Sequence, residues 1–363
     1  MKKSLLALAV LGAFAGAAQA QSAVTIYGSF DGGVRHQNRT VADTASANGG
    51  VWTMSSNGQY NSNRIGFKGV EDLGGGLNAH FNLETGFNTG TGVQDGALFN
   101  RSAFVGLGGS WGSLDFGHQY SINFKVVGTY DPFSYKYVSI IPLAGLGVIG
   151  GTAANPIGGV GTLYAAPLTR LDNDAQYSGK FGPVTVYAEH AFGEQATGFS
   201  DASTNAVGAV YAEGPITVGG AYTTRKNNVA TAPAVSYQDY KSWTVGGAYA
   251  TGPFRVAAGY SDSKQDTGVT AAPEARGKNW WVGGSYNLTP EAALTAGYYE
   301  TKTTQPAVPA LETKRKLFIV GGTYALSKRT NLYADIDNSR YSVSAGTAPK
   351  NLTGFSAGIN HLF

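Results

Sequence analysis

Strict alternation of apolar and polar residues, repeated along almost the whole chain, restricts its fold more than any other feature. In "NLYADIDNS", Leu332, Ala334 and Ile336 fall on one side of an extended backbone, and Tyr333, Asp335 and Asp337 on the other. Successive side chains of a strand point to opposite faces, so such a segment has one greasy face and one polar face. "PVTVYAEH" sets Val184, Val186 and Ala188 against Thr185, Tyr187 and Glu189. "PFRVAAGYSDS" sets Phe254, Val256, Ala258 and Tyr260 against Arg255, Ala257, Gly259 and Ser261. The final "GFSAGINHLF" does the same, with Phe355, Ala357, Ile359, His361 and Phe363 on one face.

A second period lies over the first. Tight turns are expected at 72–76, 110–112, 179–183, 213–215, 251–253, 289–291 and 327–329, where Gly, Pro, Ser and Asp cluster. Between them lie long polar connections at roughly 36–59, 88–98, 119–169, 193–204, 225–239, 264–278, 303–314 and 341–353. Seven short turns and eight long loops make sixteen antiparallel strands, an even number with both chain ends on the short-turn side. β-Sandwiches and propellers also alternate, but they have no reason to segregate short turns from long loops. A transmembrane β-barrel does, with short periplasmic turns and long extracellular loops. Hydrocarbon tolerates no open sheet edge, so the last strand must pair with the first, "AVTIYGSFDGGV" (23–34). Phe363 would then sit among the aromatic rings of the membrane boundary.

The N-terminus agrees with export. Lys2 and Lys3 precede the apolar run "SLLALAVLGAFAGA" and the A-x-A site at Ala18 to Ala20. That is the layout of a cleaved signal peptide over 1–20, leaving a barrel over 21–363. Cleavage removes two of the cations behind a formal net charge of +3, so the mature chain is nearly neutral, unlike an electrostatic nucleic-acid binder. Only 13% of residues are charged, while 12% are aromatic; aromatic girdles and lipid-facing walls need that balance. There is no Cys, which excludes disulfides, thiol catalysis and thiolate metal sites.

Several stretches carry a family resemblance: "VTIYGSFDGGV", "RIGFKGVEDLGGGLNAHFNLETGF" (64–87), "NRSAFVGL" with "GSLDFG" (100–117), "RLDNDAQY" (170–177) and the C-terminal strand. Across essentially the whole mature chain they resemble the general trimeric porins of Gram-negative outer membranes, the betaproteobacterial branch above all. The resemblance implies a homotrimer in the cell outer membrane, surrounded by lipid and lipopolysaccharide. It implies assembly by a barrel-assembly machinery that reads the strand ending in Phe363, and passive diffusion of small ions and hydrophilic solutes.

It further implies that the third long loop, 119–169, folds into the barrel and narrows it opposite a ladder of wall arginines. By local motif these are Arg64, Arg101 and Arg170. Alternation supports part of this. Ile65 and Phe67 are apolar, so Arg64 and Lys68 share the lumenal face, and an arginine facing lipid at mid-membrane would cost roughly 2–4 kcal/mol. Loop 3 departs from the family's acidic pattern: in "TYDPFSYKY", Asp131 is its one acid, beside Lys125 and Lys136. With the three arginines this makes five cations against one acid. A cationic ring in a narrow pore favours anions, so a weak to moderate anion preference is expected.

Other chemistry finds little support. "GLGVIGG" contains G-x-G-x-x-G at Gly145, Gly147 and Gly150, without the flanking strand, helix and acid of a dinucleotide site. No two histidines lie four apart. No catalytic residue, cofactor or metal is expected. Aromatic residues are assigned to the girdles, with few left for the lumen. A substrate-selective channel and a barrel acting as adhesin or receptor through its long loops are the alternative functions.

Overall fold

A computed structural model describes residues 23–38, 50–54, 57–137, 169–231, 234–266, 274–305, 311–344 and 351–363. The expected signal peptide and the Gly145–Gly150 motif lie outside these residues.

The first half of the chain carries β1 (Ala23–Gln37), β2 (Val51–Met54), β3 (Arg64–Gly74), β4 (Leu77–Gly86), β5 (Ser102–Gly109), β6 (Gly112–Tyr120), the helix α1 (Ile122–Gly128), β7 (Arg170–Phe181) and β8 (Val184–Ala191). Then follow β9 (Thr204–Glu213), β10 (Ile216–Thr231), β11 (Ala234–Thr251), β12 (Phe254–Asp266), β13 (Glu274–Asn287), β14 (Ala292–Gln305), β15 (Leu311–Ala325), β16 (Thr330–Val343) and β17 (Leu352–Leu362). All pairings are antiparallel, and sixteen strands close into a barrel. The short β2 is extra; it pairs Val51–Met54 with the end of β1.

Each of the seven expected tight turns joins two barrel strands. Four of the long connections are shorter than the sequence suggested. Strands β10 and β11 fill most of 225–239, and β12 to β17 extend into the ends of 264–278, 303–314 and 341–353.

Closure is staggered. The first half of β1 pairs with β3, from Ala23↔Val70 to Ser29↔Arg64. Its second half pairs with β17, from Ser29↔Leu362 to Gln37↔Gly354. A barrel needs such a shear, because its strands tilt.

The outer face is the greasy one. Val256, Phe318, Ile336 and Phe355 are exposed there, while Ser261, Asp335, Asp337 and Ser356 on the inner face are buried. Two rows of rings border the band. Trp243 lies tilted against Tyr260 and Trp280 against Tyr298, at 5.2 and 5.1 Å between centroids. Six residues along β12, Phe254 lies 4.6 Å from Tyr286, about 20 Å away along the strand. Tyr27 does not join the girdle. It faces inward, hydrogen-bonded with Asn82.

The inner side holds many more aromatic residues than expected. Tyr130, Phe133, Tyr137, Trp281, Tyr299 and Tyr333 form one buried cluster with Ile122, Val126 and Val127. This is the underside of loop 3, and it makes the barrel interior a packed layer on one side and an aqueous lumen on the other.

Candidate functional site: the pore constriction

Loop 3 is seated on the wall by glycines. A Cβ on Gly208 would lie 2.6 Å from Ile122 Cγ2, on Gly283 2.8 Å from Pro132, on Gly297 2.9 Å from Phe133 and on Gly321 2.6 Å from Tyr137. Gly246 likewise makes room for the Tyr130 ring. These positions lie on β9, β11, β13, β14 and β15, so the loop follows the wall around the barrel. Only a residue without Cβ lets another chain approach so closely.

Polar anchors fix its course. Ser121 caps α1 by accepting the Phe124 N–H at 3.3 Å, and Glu189 accepts the Ile122 N–H at 3.0 Å. Arg255 donates to the carbonyls of Thr129 and Asp131 at 3.0 and 3.2 Å. The Tyr137 N–H donates to the Tyr60 carbonyl at 2.9 Å, and the Tyr60 ring packs against Tyr137 and Tyr333.

Opposite this layer stand the arginines. Arg64 opens β3, Arg101 immediately precedes β5, and Arg170 opens β7. The register Gly66↔Glu84 and Glu84↔Ser102 brings the first two to one height. Arg101 Nε lies 2.7 Å from Glu84 Oε1, and Arg64 Nε lies 3.5 Å from Glu84 Oε2. Tyr120, the last residue of β6, accepts from Arg101 Nη2 at 2.8 Å and from Arg170 Nη2 at 2.5 Å. The Arg170 guanidinium sits 4.1 Å from the Tyr120 ring centroid. Behind Tyr120, Phe124 and Tyr135 of loop 3 continue the stack at 4.4 and 4.3 Å. A column of rings thus links the loop to the ladder.

Lys136 completes the cluster from the loop side. Its Nζ donates to Asn61 Oδ1 at 2.8 Å, and Arg64 Nη1 donates to the same oxygen at 3.2 Å. Burial, reinforced by the Arg64 charge, pulls the Lys136 ammonium down to about 8. Lys68 shares the inner face with Arg64. It is exposed, with Nζ 5.4 Å from the Tyr27 ring centroid.

Arg101, expected in the lumen, stands just before β5, and its side chain reaches in to Glu84. Glu84 itself was overlooked, although its apolar neighbour Leu83 puts it on the lumenal face. Two loop 3 residues, Lys125 inside α1 and Asp131 just after it, also behave differently from a simple charge ring. Asp131 is 2% exposed. Its carboxylate accepts the N–H groups of Phe133 and Tyr135 and the Tyr299 hydroxyl, and burial holds it above the usual carboxylate range. It braces the turn of the loop and is not brought to the arginines. Lys125 turns away to Gln176, towards the charges of Asp115, Glu189 and Asp174. The assembled group is Arg64, Arg101, Arg170 and Lys136, with Glu84 bridging the first two and Asp31 near Lys136.

A family model described as Gram-negative porin matches residues 7–344. An outer membrane porin protein of Bordetella pertussis is 47% identical over 143 residues, which is 37% of either chain. Outer membrane porin protein 32 of Delftia acidovorans is 40% identical over 134 residues, 37% of this chain and 36% of that protein. The chain therefore spans little more than a third of the length of the curated relatives it matches. Among solved structures, an anion-selective porin from Comamonas acidovorans superposes with a TM-score of 0.75 at 22% identity, over 94% of this chain and all of that one. OmpF of Salmonella typhi in complex with daunomycin gives 0.62 at 17%, over 94% and 97%. Those two likenesses concern the fold. The closed barrel, its inward loop and the match along most of the sequence agree: the chain belongs to the Gram-negative porin family of the cell outer membrane.

Proposed function

We propose that this barrel is a passive diffusion channel for small hydrophilic solutes and ions, with a weak to moderate preference for anions. The observation that carries the reading is the group of four cations, Arg64, Arg101, Arg170 and Lys136, gathered at the lumen with Glu84 between the first two and Asp31 near Lys136. Function here is width and field. Loop 3 removes cross-section by covering the wall from β9 to β15. The ladder then sets the sign of the potential in the space left over. A low-dielectric wall focuses that field, and charges closer than the ~8 Å Debye length at physiological salt are little screened. Anions entering the constriction exchange water for guanidinium donors, while cations meet a barrier.

Arg64, Arg101, Arg170 and Lys68 are the proposed constriction residues. Asp131 contributes by bracing loop 3. The channel works as a homotrimer among outer-membrane lipid and lipopolysaccharide, and it is inserted by the barrel-assembly machinery through the strand ending in Phe363. Planar-bilayer recording in a KCl gradient tests the reading. The reversal potential should have the sign of anion preference, and Arg64→Ala with Arg101→Ala should move it towards zero or beyond. An unchanged potential in the double variant sinks the ladder assignment.

A further inference from the structure

On the outer wall of the barrel, Lys316 of β15 and Arg340 of β16 stand directly opposite each other. Both are exposed, and neither has a hydrogen bond or an ion pair among the described residues. The neighbouring acid is Glu300, opposite Lys316 on β14. It offsets part of the Lys316 charge, but both its oxygens are engaged. Lys314 Nζ lies 2.8 Å from Oε1, and the Tyr298 hydroxyl donates to Oε2 at 3.4 Å. In the next row, Lys278, Lys302 and Lys314 also stand opposite one another, each with an acid within 4.0 Å. Lys316 and Arg340 have no such partner. Like charges directly opposite across a ladder destabilise a sheet, and an anion shared between them reverses the sign.

The two cations share a recess of about 470 Å³ whose other walls are Tyr298, Phe318 and Asn338. Among the described residues no acid lines it. Tyr298, Phe318 and Asn338 form one row of the sheet, two residues deeper into the wall than Lys316 and Arg340, which is about 7 Å along a strand. Phe318 is 52% exposed on the outer face, and Tyr298 belongs to a ring row that borders the apolar band. The recess thus has a cationic rim and an aromatic floor, at the level where the wall passes from hydrocarbon to headgroups. Lys316 and Arg340 lie towards the long-connection ends of their strands. In a transmembrane barrel that is the extracellular side.

A free inorganic anion would use the rim and leave the floor bare. A neutral lipid would use the floor and leave two like charges facing each other. An anionic group carried on hydrocarbon uses both. On the extracellular side of an outer membrane the lipid of that chemistry is lipopolysaccharide, whose phosphate groups sit at the head of its acyl chains. We infer that Lys316 and Arg340 together clasp one phosphate of an outer-leaflet lipopolysaccharide, while Phe318 and Tyr298 cover the first part of an acyl chain. Two charge-assisted contacts to one phosphate are strong. They supply directly the counter-charge that neighbouring lipopolysaccharide phosphates otherwise draw from divalent metal ions, so the clasp holds without such ions. The partner rests on the reading that the barrel stands among lipopolysaccharide; the site and its independence of divalent ions go beyond it.

Surface plasmon resonance on the immobilised, detergent-folded protein tests the site. The probes are bisphosphorylated rough lipopolysaccharide and the same lipid after phosphatase treatment, both in EDTA. The phosphorylated form is expected to bind saturably. Removing its phosphates, or changing Lys316→Gln with Arg340→Gln, should weaken binding about tenfold or more, the effect of losing charge-assisted hydrogen bonds. Lys180→Gln, at the tight turn on the opposite rim, should leave it unchanged. Equal binding of the two lipid forms overturns the proposal. So does a double variant that binds like the natural protein, or competition by phosphatidylglycerol or inorganic phosphate as strong as by lipopolysaccharide itself. A double variant with an altered oligomeric state in analytical ultracentrifugation overturns it too, because the pair is then a contact between copies. Should the double variant fail to fold, the comparison of the two lipid forms on the natural protein still decides. Restoring Mg²⁺ separates the two readings: binding that appears only with Mg²⁺ removes this direct site alone, whereas no binding even then removes the lipopolysaccharide partner as well.

Discussion

Gly28 and Phe363 exchange both backbone hydrogen bonds, N–H to carbonyl at 3.2 Å in one direction and 3.3 Å in the other. The Phe363 ring lies over Gly28, in the space a side chain at 28 would need, and 5.4 Å from the Phe30 ring. One residue pair thus completes the seam between first and last strands, and it explains why a glycine stands on an otherwise apolar outer face.

Replacing Gly28 by Val should therefore displace the Phe363 ring. Overpacking of this kind costs roughly 1–3 kcal/mol. The expected outcome is a lower urea midpoint for unfolding of the detergent-folded barrel, with Gly32→Val, which meets open space, as the milder control.

Glu84 holds two arginines and offsets part of their field. Glu84→Gln should strengthen anion preference, read as a larger reversal potential in a KCl gradient. Removing one partner of a buried ion pair also destabilises, by about 3–5 kcal/mol when burial is complete and by less in this partly open site, where the Arg64 side chain is 23% exposed. The variant should be more selective and less stable at once.

Lys136 gives the selectivity a pH dependence. With its ammonium pulled down to about 8, it adds a cation to the constriction below that pH and none above it. Anion preference should fall as pH rises through about 8, and Lys136→Gln should flatten that step. The stability sign is opposite. The buried ammonium costs folding free energy while protonated, and this cost fades as pH rises from about 8 towards the ordinary 10.5. Reversal potentials from pH 6 to pH 10 and urea midpoints over the same range check both.

The glycine seat predicts a wider, noisier pore when it is filled. Gly297→Val and Gly321→Val each drive a side chain into Phe133 or Tyr137, at roughly 1–3 kcal/mol. Loop 3 should then leave the wall part of the time. Single-channel traces should show added flicker, while the barrel, held by its backbone ladder, keeps its strand content by circular dichroism.

The division between sequence and structure follows from range. Period-two alternation is local, so the chain alone determined the strands, the seven tight turns and the lumenal face of Arg64 and Lys68; a slip by one residue would expose every polar side chain to lipid. Where polar residues fall in both registers, as at 225–239 or 303–314, that constraint vanishes and the strands were invisible. Only the tertiary structure decided what lies inside. Arg101 stands just outside β5, Lys125 finds a pocket of acids on β6, β7 and β8, Asp131 is consumed by the turn it braces, and Glu84 bridges Arg64 and Arg101. Each of those outcomes depends on which distant backbone groups and charges loop 3 meets when it folds back into the lumen, and a side chain's choice of partner is set by that three-dimensional competition, which no neighbour in the sequence encodes.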